Sequence, residues 1–536
     1  MRLKKKYRIG IVFIVAILIL FMLIPRNDIE NFSNKYKNAG DLENDVEGIG
    51  RENTYQKYLQ EYASEGKPQN DIAIDIGNYV DSKGVEALTE YEGEKGVVRA
   101  SEDSYMKWQV DVPEAGMYQI YMEYYSVRSR GVDIERKLYI NDEIPFIGAD
   151  ALRFSRCFAD KNEVKRDNQG NDIRPAQVDV PSWMEAYFKD DRGYYTEPYE
   201  FYFKKGTNTI ALEAVNEPIV IKSLSLNAIK ESVSYTDYRK STPECSTSKE
   251  AASYKGKIQG ESSTLRSSPS LYATYDRSSP NTEPYSVSDV RLNMCGGTAW
   301  RVPGQWIEWE FEVPENGYYN ITIKGRQNYQ RGFVSNRAVY IDGAIPFSEM
   351  GDTQFRYSNE WEQVTLSDND EKPYEFYLEK GKHTIRMEVS LGELGDILNR
   401  MEDSVYRLNE IYRKILVLTG TTPDKYRDYK IDKVYPEVIK GMDLESKRLY
   451  KIVDDTVAYA GQKAGQVATV QTLARQLEKF VKNPDKIPAT LTNYKDNISA
   501  MGTSILTMSE APLDVDYITI TGLDAKPDKE NESFWA

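Results

Sequence analysis

One unit of sequence occurs twice in this chain, and that duplication limits its folds more than any other feature. WQVDVPEAGMYQI (Trp108 to Ile120) returns as WEFEVPENGYYNI (Trp309 to Ile321), and RKLYINDEIPF (Arg136 to Phe146) returns as RAVYIDGAIPF (Arg337 to Phe347). A third block, PYEFYFKKGTNTI (Pro198 to Ile210), returns as PYEFYLEKGKHTI (Pro373 to Ile385). The first two pairs share an offset of 201 residues and the third an offset of 175, so the first copy holds about 26 extra residues between its second and third blocks. That insertion is where the copies are expected to differ in function, because loops on a rigid scaffold tolerate change.

The blocks read as strands. Trp108, Val110 and Val112 alternate with Gln109 and Asp111, and Trp309, Phe311 and Val313 do the same in the second copy. A period of two puts one face inward. Pro113-Glu114-Ala115-Gly116 and Pro314-Glu315-Asn316-Gly317 supply turns, since proline fixes φ and glycine tolerates positive φ. Short strands with regular turn signals predict one antiparallel β-sandwich per copy. From Gly392 the period changes. Leu394, Ile397, Leu398, Met401, Val405, Leu408, Tyr412 and Ile415 recur at three and four, and three more such stripes follow before Pro512. Short loops between them predict an antiparallel four-helix bundle.

The strand, VPEAGxY turn, IDG turn and late KGxHTI hairpin resemble the galactose-binding-like jelly rolls of carbohydrate-binding modules. KIQGESSTL (Lys257 to Leu265) looks like their first strand, with Glu261 at an acidic position. The tandem pair, the helical segment and the Leu513-Asp514-Val515-Asp516-Tyr517 strand are also similar to the N-terminal region of large Gram-positive extracellular solute-binding proteins. The resemblance implies sugar recognition and one structural calcium ion. It assigns no metal ligand, and no other cofactor is expected.

The predicted organisation is mainly β plus α. It runs as a signal anchor or signal peptide at 1–26, a stalk at 27–70 or a short helix there over Tyr55 to Tyr62, β-sandwich module 1 at 71–228 and a linker at 229–256. Module 2 follows at 257–390, the helical bundle at 391–511, and a terminal strand and tail at 512–536. The first segment rests on Arg2, Lys4, Lys5, Lys6 and Arg8 ahead of an apolar run from Ile9 to Ile24. Cations before an apolar run set the amino end inside, and the bulky Leu20 to Ile24 lacks the small residues of a cleavage site. An uncleaved anchor with the rest outside the cell is therefore expected, with a cleaved signal peptide and secretion as the second reading. The terminal strand has no partner nearby in sequence and is expected to add an edge to a sandwich or to await a missing domain.

Net charge −15 with one histidine argues against nucleic acid. That lone His383 disfavours zinc sites and Ser-His-Asp chemistry. No phosphate loop, HExxH or GxSxG motif is present, and no catalysis is predicted. Cys157, Cys245 and Cys295 share no metal spacing.

A sugar site needs flat aromatic faces for the CH face of a pyranose and polar groups for its hydroxyls. In the insertion, Trp183, Tyr187, Tyr194 and Tyr195 are candidate platforms, with Asn171, Asp172 and Arg174 as polar partners. In the second copy the candidates are Arg326, Tyr329, Arg331, Tyr357 and Trp361. Each tryptophan also reads as a core residue under a loop, and the polar residues also read as turn formers. The Asp167 to Asp172 run loosely resembles a calcium loop but lacks the closing glutamate.

The leading function is a membrane-anchored, non-catalytic extracellular carbohydrate-binding protein. It would capture polysaccharide or oligosaccharide for an ABC-type sugar transporter, with a solute-binding protein truncated before its binding lobe as a variant of that reading. The alternative is a cell-envelope structural protein whose sandwiches serve adhesion or protein–protein interaction.

Overall fold

The computed structural model describes residues 31–527 apart from 41, 43, 244–247 and 461–463. The chain is mostly β-sheet with a helical region toward its C-terminus. Among the described residues no helix is long and apolar enough to cross a membrane. The predicted anchor, with its Ile9 to Ile24 run, lies outside them.

The principal strands of the first copy are β1 (Ile72–Ile74), β2 (Tyr79–Tyr91), β3 (Glu94–Val112), β4 (Gly116–Tyr125) and β5 (Ile134–Ile140). The insertion contributes β6 (Phe158–Asp160), β7 (Gln177–Asp179) and β8 (Trp183–Tyr187). After it come β9 (Glu200–Phe203), β10 (Gly206–Asn216) and β11 (Ile219–Asn227). Apart from β6 and β7 they pair antiparallel in the order β8-β4-β11-β3-β10-β5, with β1 on β11, β9 on β4 and β2 on β3. β3 belongs to both layers: Val98 to Ala100 pair with β11, and Tyr105 to Val112 pair with β10. The two layers enclose one core that includes Trp108, Tyr124, Phe146, Phe201 and Leu212.

The second copy has β12 (Lys255–Gln259), β13 (Leu265–Arg266), β14 (Trp306–Val313), β15 (Gly317–Arg326) and β16 (Val334–Ile341). It continues with β17 (Glu362–Thr365), β18 (Phe376–Leu378), β19 (Gly381–Ser390) and β20 (Leu513–Gly522). One sheet contains β13-β14-β19-β16 and the other β12-β20-β15-β17, with β18 on β15. The copies match in detail. Trp108 Nε1 donates to the Ile76 carbonyl at 3.0 Å, and Trp309 Nε1 to the Gly260 carbonyl at 3.0 Å.

Three features depart from the sequence reading. First, β6 and β7 of the insertion leave module 1 and extend the first sheet of module 2, where Arg266 of β13 pairs with Phe158. Second, β20 does not add an edge: it lies between β12 and β15, with all ten residues buried. It is the counterpart of β11, and the whole helical bundle is inserted in the connection from β19 to β20. In copy one that connection is the Glu217-Pro218 turn, with φ of +54° at Glu217.

The third departure concerns the predicted stalk and linker, which are packed structure, although the short helix read over Tyr55 to Tyr62 is present. Helix α1 (Tyr55–Glu61) is capped by Thr54 and docks on β9, where Tyr55 and Tyr58 hydroxyls accept from Glu200 N (2.8 Å) and Tyr202 N (2.7 Å). Helix α2 (Tyr235–Ser241), capped by Ser234, repeats this: Tyr235 and Tyr238 accept from Glu375 N (3.0 Å) and Tyr377 N (2.9 Å). The duplicated unit therefore starts at a Ser/Thr-Tyr-x-x-Tyr helix. Further upstream, Phe32 stacks on Tyr450 with centroids 4.8 Å apart, and Val46 and Ile49 enter the core of the bundle.

The bundle consists of α3 (Glu393–Thr419), α4 (Pro436–Ala460), α5 (Gly465–Lys482) and α6 (Leu491–Met508). Contacts run α3 to α4, α4 to α5, α5 to α6 and α6 back to α3, around the apolar stripes. Phe333 of module 2 is buried in the same core.

Candidate functional site

β4 shows how one strand serves core and surface at once. Tyr118, Ile120, Met122 and Tyr124 are buried, so the alternate residues Tyr121, Glu123 and Tyr125 face outward. β8 lies beside it in register, with Trp183 opposite Tyr125, Glu185 opposite Glu123 and Tyr187 opposite Tyr121. The result is two aromatic pairs: Tyr125 and Trp183 at 5.3 Å between centroids, and Tyr121 and Tyr187 at 5.1 Å. Tyr91 extends the first pair, 5.3 Å from Tyr125. Four residues of one strand separate the pairs, about 13 Å, so a ligand touching both must be at least that long.

Tyr187 is 38% exposed, and its hydroxyl accepts from Asn227 Nδ2 at 3.3 Å. Burial, then Glu185 and Glu123, push the Tyr121 phenol up, so it stays a neutral hydrogen-bond donor. Lys222 lies 3.0 Å from Glu123 and 3.3 Å from Glu94. Stacking rings beside carboxylates, an amide and an ammonium can hold a polyhydroxylated ligand. Of the insertion's candidates, Trp183 and Tyr187 belong to this strip. Tyr121 and Tyr125 went unassigned, although two aromatic residues on the outward phase of an amphipathic strand signalled them.

The equivalent face of module 2 is covered. By the offset of 201, Thr322, Lys324 and Arg326 stand where Tyr121, Glu123 and Tyr125 do. Trp361 stands where Trp183 does, because Glu362 pairs with Gly325 as Met184 pairs with Tyr124. The segment 272–293 lies over these residues. Arg326 meets Asp276 (2.9 Å), Asp514 (3.0 Å) and Ser278 (3.1 Å), with its guanidinium 4.5 Å over the Trp361 ring. Trp361 Nε1 donates to Asp276 (3.0 Å), Tyr329 donates to Asp514 (3.0 Å), and Lys324 donates to the Asn281 carbonyl. Arg326, Tyr329 and Trp361 are thus brought together, but inside a closed network. Tyr357 donates to Asn359 (3.0 Å). Arg331 is exposed on a loop whose Gln330 donates to the Thr507 carbonyl of α6 (2.7 Å).

The other insertion candidates hold the protein's parts together. Asn171 Oδ1 accepts from Val290 N (2.9 Å), Asp172 pairs with Arg291 (3.1 Å), and Arg174 lies 3.8 Å over Tyr272. These contacts fasten the insertion to module 2. Tyr195 accepts from Asn399 of α3 (2.9 Å) and packs edge-on to Tyr55, while Tyr194 N donates to Asp190 (2.6 Å).

For calcium, the Asp167 loop does not fit. Asp167 Oδ1 already accepts from Gln169 N (2.8 Å) and Asn171 N (2.9 Å), which closes the loop on itself. Among the described residues no group of three or more His, Cys, Asp and Glu is placed to hold a metal. At the start of module 2, however, Gln259 Oε1 and Glu261 Oε2 are buried without hydrogen-bond partners beside Asp516. Burial and then the Asp516 charge push Glu261 up to about 8, and burial pushes Asp516 up to about 6. Asp516 already meets the Lys324 ammonium (3.2 Å), which leaves Gln259 Oε1 and Glu261 Oε2 as the uncommitted oxygens that a calcium ion would take. Module 1 has Gly77 and Lys222 at the corresponding positions and does not fit.

Among curated proteins, none matches this chain. Solved structures similar to part of it include a Podospora anserina GH26-CBM35 β-(1,4)-mannanase, at 12% identity and TM-score 0.20, covering 31% of this chain and 29% of that one. A family 35 carbohydrate-binding module from Clostridium thermocellum is similar at 14% identity and TM-score 0.19, covering 30% of this chain and 99% of the module. The module of Cellvibrio mixtus lichenase 5A in complex with cellotriose is similar at 9% identity and TM-score 0.16, covering 30% and 97%. Residues 396–507 match the family model described as the four-helix bundle domain of bacterial solute-binding proteins, the helical half of the resemblance read from the sequence.

Proposed function

We propose that this chain is an exported, non-catalytic glycan-binding protein in which the open sheet face of module 1 holds a polysaccharide. The bundle, matched to solute-binding proteins, supports a place for it in solute uptake. The apolar run from Ile9 to Ile24 supports anchoring of the chain at the outer face of the cell membrane. The observation that carries the reading is the contrast between equivalent faces. Copy one presents Tyr121, Tyr125, Trp183 and Tyr187 on one sheet face, and copy two buries Arg326 and Trp361 under its own loop. One module therefore does the capturing.

The test is binding of the full chain to a panel of soluble polysaccharides, read by affinity electrophoresis and calorimetry. Tyr187→Ala, at an exposed ring, should weaken binding about 3- to 10-fold with unchanged melting, as loss of one stacking contact predicts. Trp183→Ala should weaken it at least as much, with some loss of stability, because its indole N–H donates to the Glu92 carbonyl at 3.1 Å. Binding that both variants retain in full would sink the assignment to this face.

A further inference from the structure

A separate cavity of about 460 Å³ lies between the segment from Asp45 to Gln60, α3 and α4. Its volume falls within the range of small-ligand sites, which favour junctions between folded units. The wall carries six cations, Arg51, Lys57, Arg400, Arg407, Arg448 and Lys451, and three carboxylates, Asp45, Asp396 and Asp403, together with Thr54. Arg51 and Thr54 also line a narrow neighbouring gap of about 40 Å³, whose far side is Tyr194, Tyr195 and Asn399.

The charges of this wall come in pairs. Arg51 Nε donates to Asp403 (3.1 Å), and Arg400 meets Asp396 (2.9 Å) and Asp455 (2.8 Å). Lys451 meets Asp455 (2.8 Å), and Asp45 is shared by Lys57 (3.1 Å) and Arg407 (3.3 Å). Asp455, Glu445 behind Arg407 and Arg448, and Glu402 behind Arg51 bring the carboxylates to six, so donors and acceptors surround the space with little net charge. An anion would face Asp45, Asp396 and Asp403, and a cation would face the guanidinium groups. An apolar molecule would leave the wall desolvated and unpaired, at about 1–3 kcal/mol for each polar group. A sugar hydroxyl both donates and accepts. It can give its proton to a carboxylate lone pair not used by the ion pair while accepting from a spare guanidinium N–H.

We propose that this cavity is a second binding site, distinct from the aromatic strip, for a short neutral oligosaccharide. A molecule seated there touches the N-terminal segment and two helices of the bundle, and it borders the end of the insertion from module 1. The two sites differ in kind. The strip is a sheet face suited to polymer, and the cavity is a half-open recess suited to a short, hydroxyl-rich solute.

The test is calorimetric titration of the full chain with cellotriose, mannotriose and, as an acidic comparison, trigalacturonate. A neutral trisaccharide should bind, and its affinity should survive Tyr187→Ala. It should fall at least about tenfold in the Arg400→Met/Lys451→Met double variant, as loss of hydrogen bonds to charged groups predicts. The acids left unpaired in that variant, Asp396 and Asp455, retain side-chain exposures of 68% and 28%, so melting should hold. Asp396→Asn, at the more exposed acid, gives the same reading if melting does not hold. Undiminished binding in the cavity variants, tighter binding of trigalacturonate than of either neutral sugar, or no trisaccharide binding at all would each overturn the cavity site. In all three cases the polymer assay still decides the strip separately.

Discussion

Arg136 and Arg337 occupy the same position in the two copies, and both are buried. Arg136 donates to the carbonyls of Glu135 (2.8 Å), Asn216 (2.7 Å) and Glu217 (2.9 Å). Arg337 donates to those of Asn336 (2.7 Å), Ala511 (2.9 Å) and Trp300 (3.2 Å). Each guanidinium pins the chain just before β11 or β20 begins. Burial lowers Arg136 to about 10 and Arg337 to about 9, and the carbonyl contacts are what keep such a charge tolerable inside. Arg337→Met leaves buried carbonyls unpaired and should destabilise module 2 by roughly 3–5 kcal/mol, measured by denaturant unfolding. A loss below about 1 kcal/mol would refute the pinning role.

A second expectation at this scale concerns pH. Glu261 and Asp516 are raised in the folded state, to about 8 and about 6 from ordinary values of 4.5 and 3.8. Folding therefore favours their protonated forms. The stability they contribute is complete below about pH 4 and is lost as pH rises through 6 and 8. Without added metal, module 2 should melt at progressively lower temperature from pH 4 to 8. Calcium should raise the melting temperature at pH 8 and flatten the slope. No calcium effect at pH 8 would remove the ion from module 2. Neither arginine's role could be read from the repeat that contains it, because Asn216 and Ala511 are remote in sequence and only folding brings them near.

At the level of elements, period and turn chemistry located the strands of both copies and the four long helices, since each has enough residues for its pattern to show. Short pieces were not legible. β6 and β7 have three residues each, too few for alternation, and their partner lies in the other copy. The seven-residue helix α2 sits in a polar segment that resembles a linker, whereas α1 matches the short helix read over Tyr55 to Tyr62. Their signal was the cap followed by two tyrosines one helical turn apart, which place both hydroxyls over one strand. Tyr55→Phe and Tyr58→Phe each leave a backbone N–H of β9 without its acceptor and should cost about 1–2 kcal/mol. Hydrogen exchange at Glu200 and Tyr202 should quicken in these variants, and unchanged exchange would show that the docking is incidental. The candidate site divided along the same line. Trp183 and Tyr187 stand out as aromatic residues of the insertion, though the strand that carries them is too short to show alternation, whereas Asn171, Asp172 and Arg174 face a partner that no local pattern names.

Considered whole, the molecule is less modular than its sequence suggests. The insertion of module 1 adds two strands to module 2, the N-terminal segment spans from the bundle to module 1, and the bundle interrupts a β-hairpin. Ending the chain after residue 390 should therefore leave module 2 unfolded, because it removes the central strand β20. Replacing residues 391–512 by the Glu-Pro turn of copy one should instead yield two folded sandwiches, as judged by circular dichroism and resistance to protease. A folded second module in the shorter chain would refute the inserted arrangement.

The position of β20 also sets a timetable for biosynthesis. Synthesis proceeds from the N-terminus at about 5–20 residues per second, so the 122 residues 391–512 take roughly 6–25 s to make. Module 1 can close long before then, whereas its neighbour must hold the unpaired edges of β12 and β15 open until its final strand is made. For that interval the nascent protein carries an unfinished sheet vulnerable to pairing with another chain.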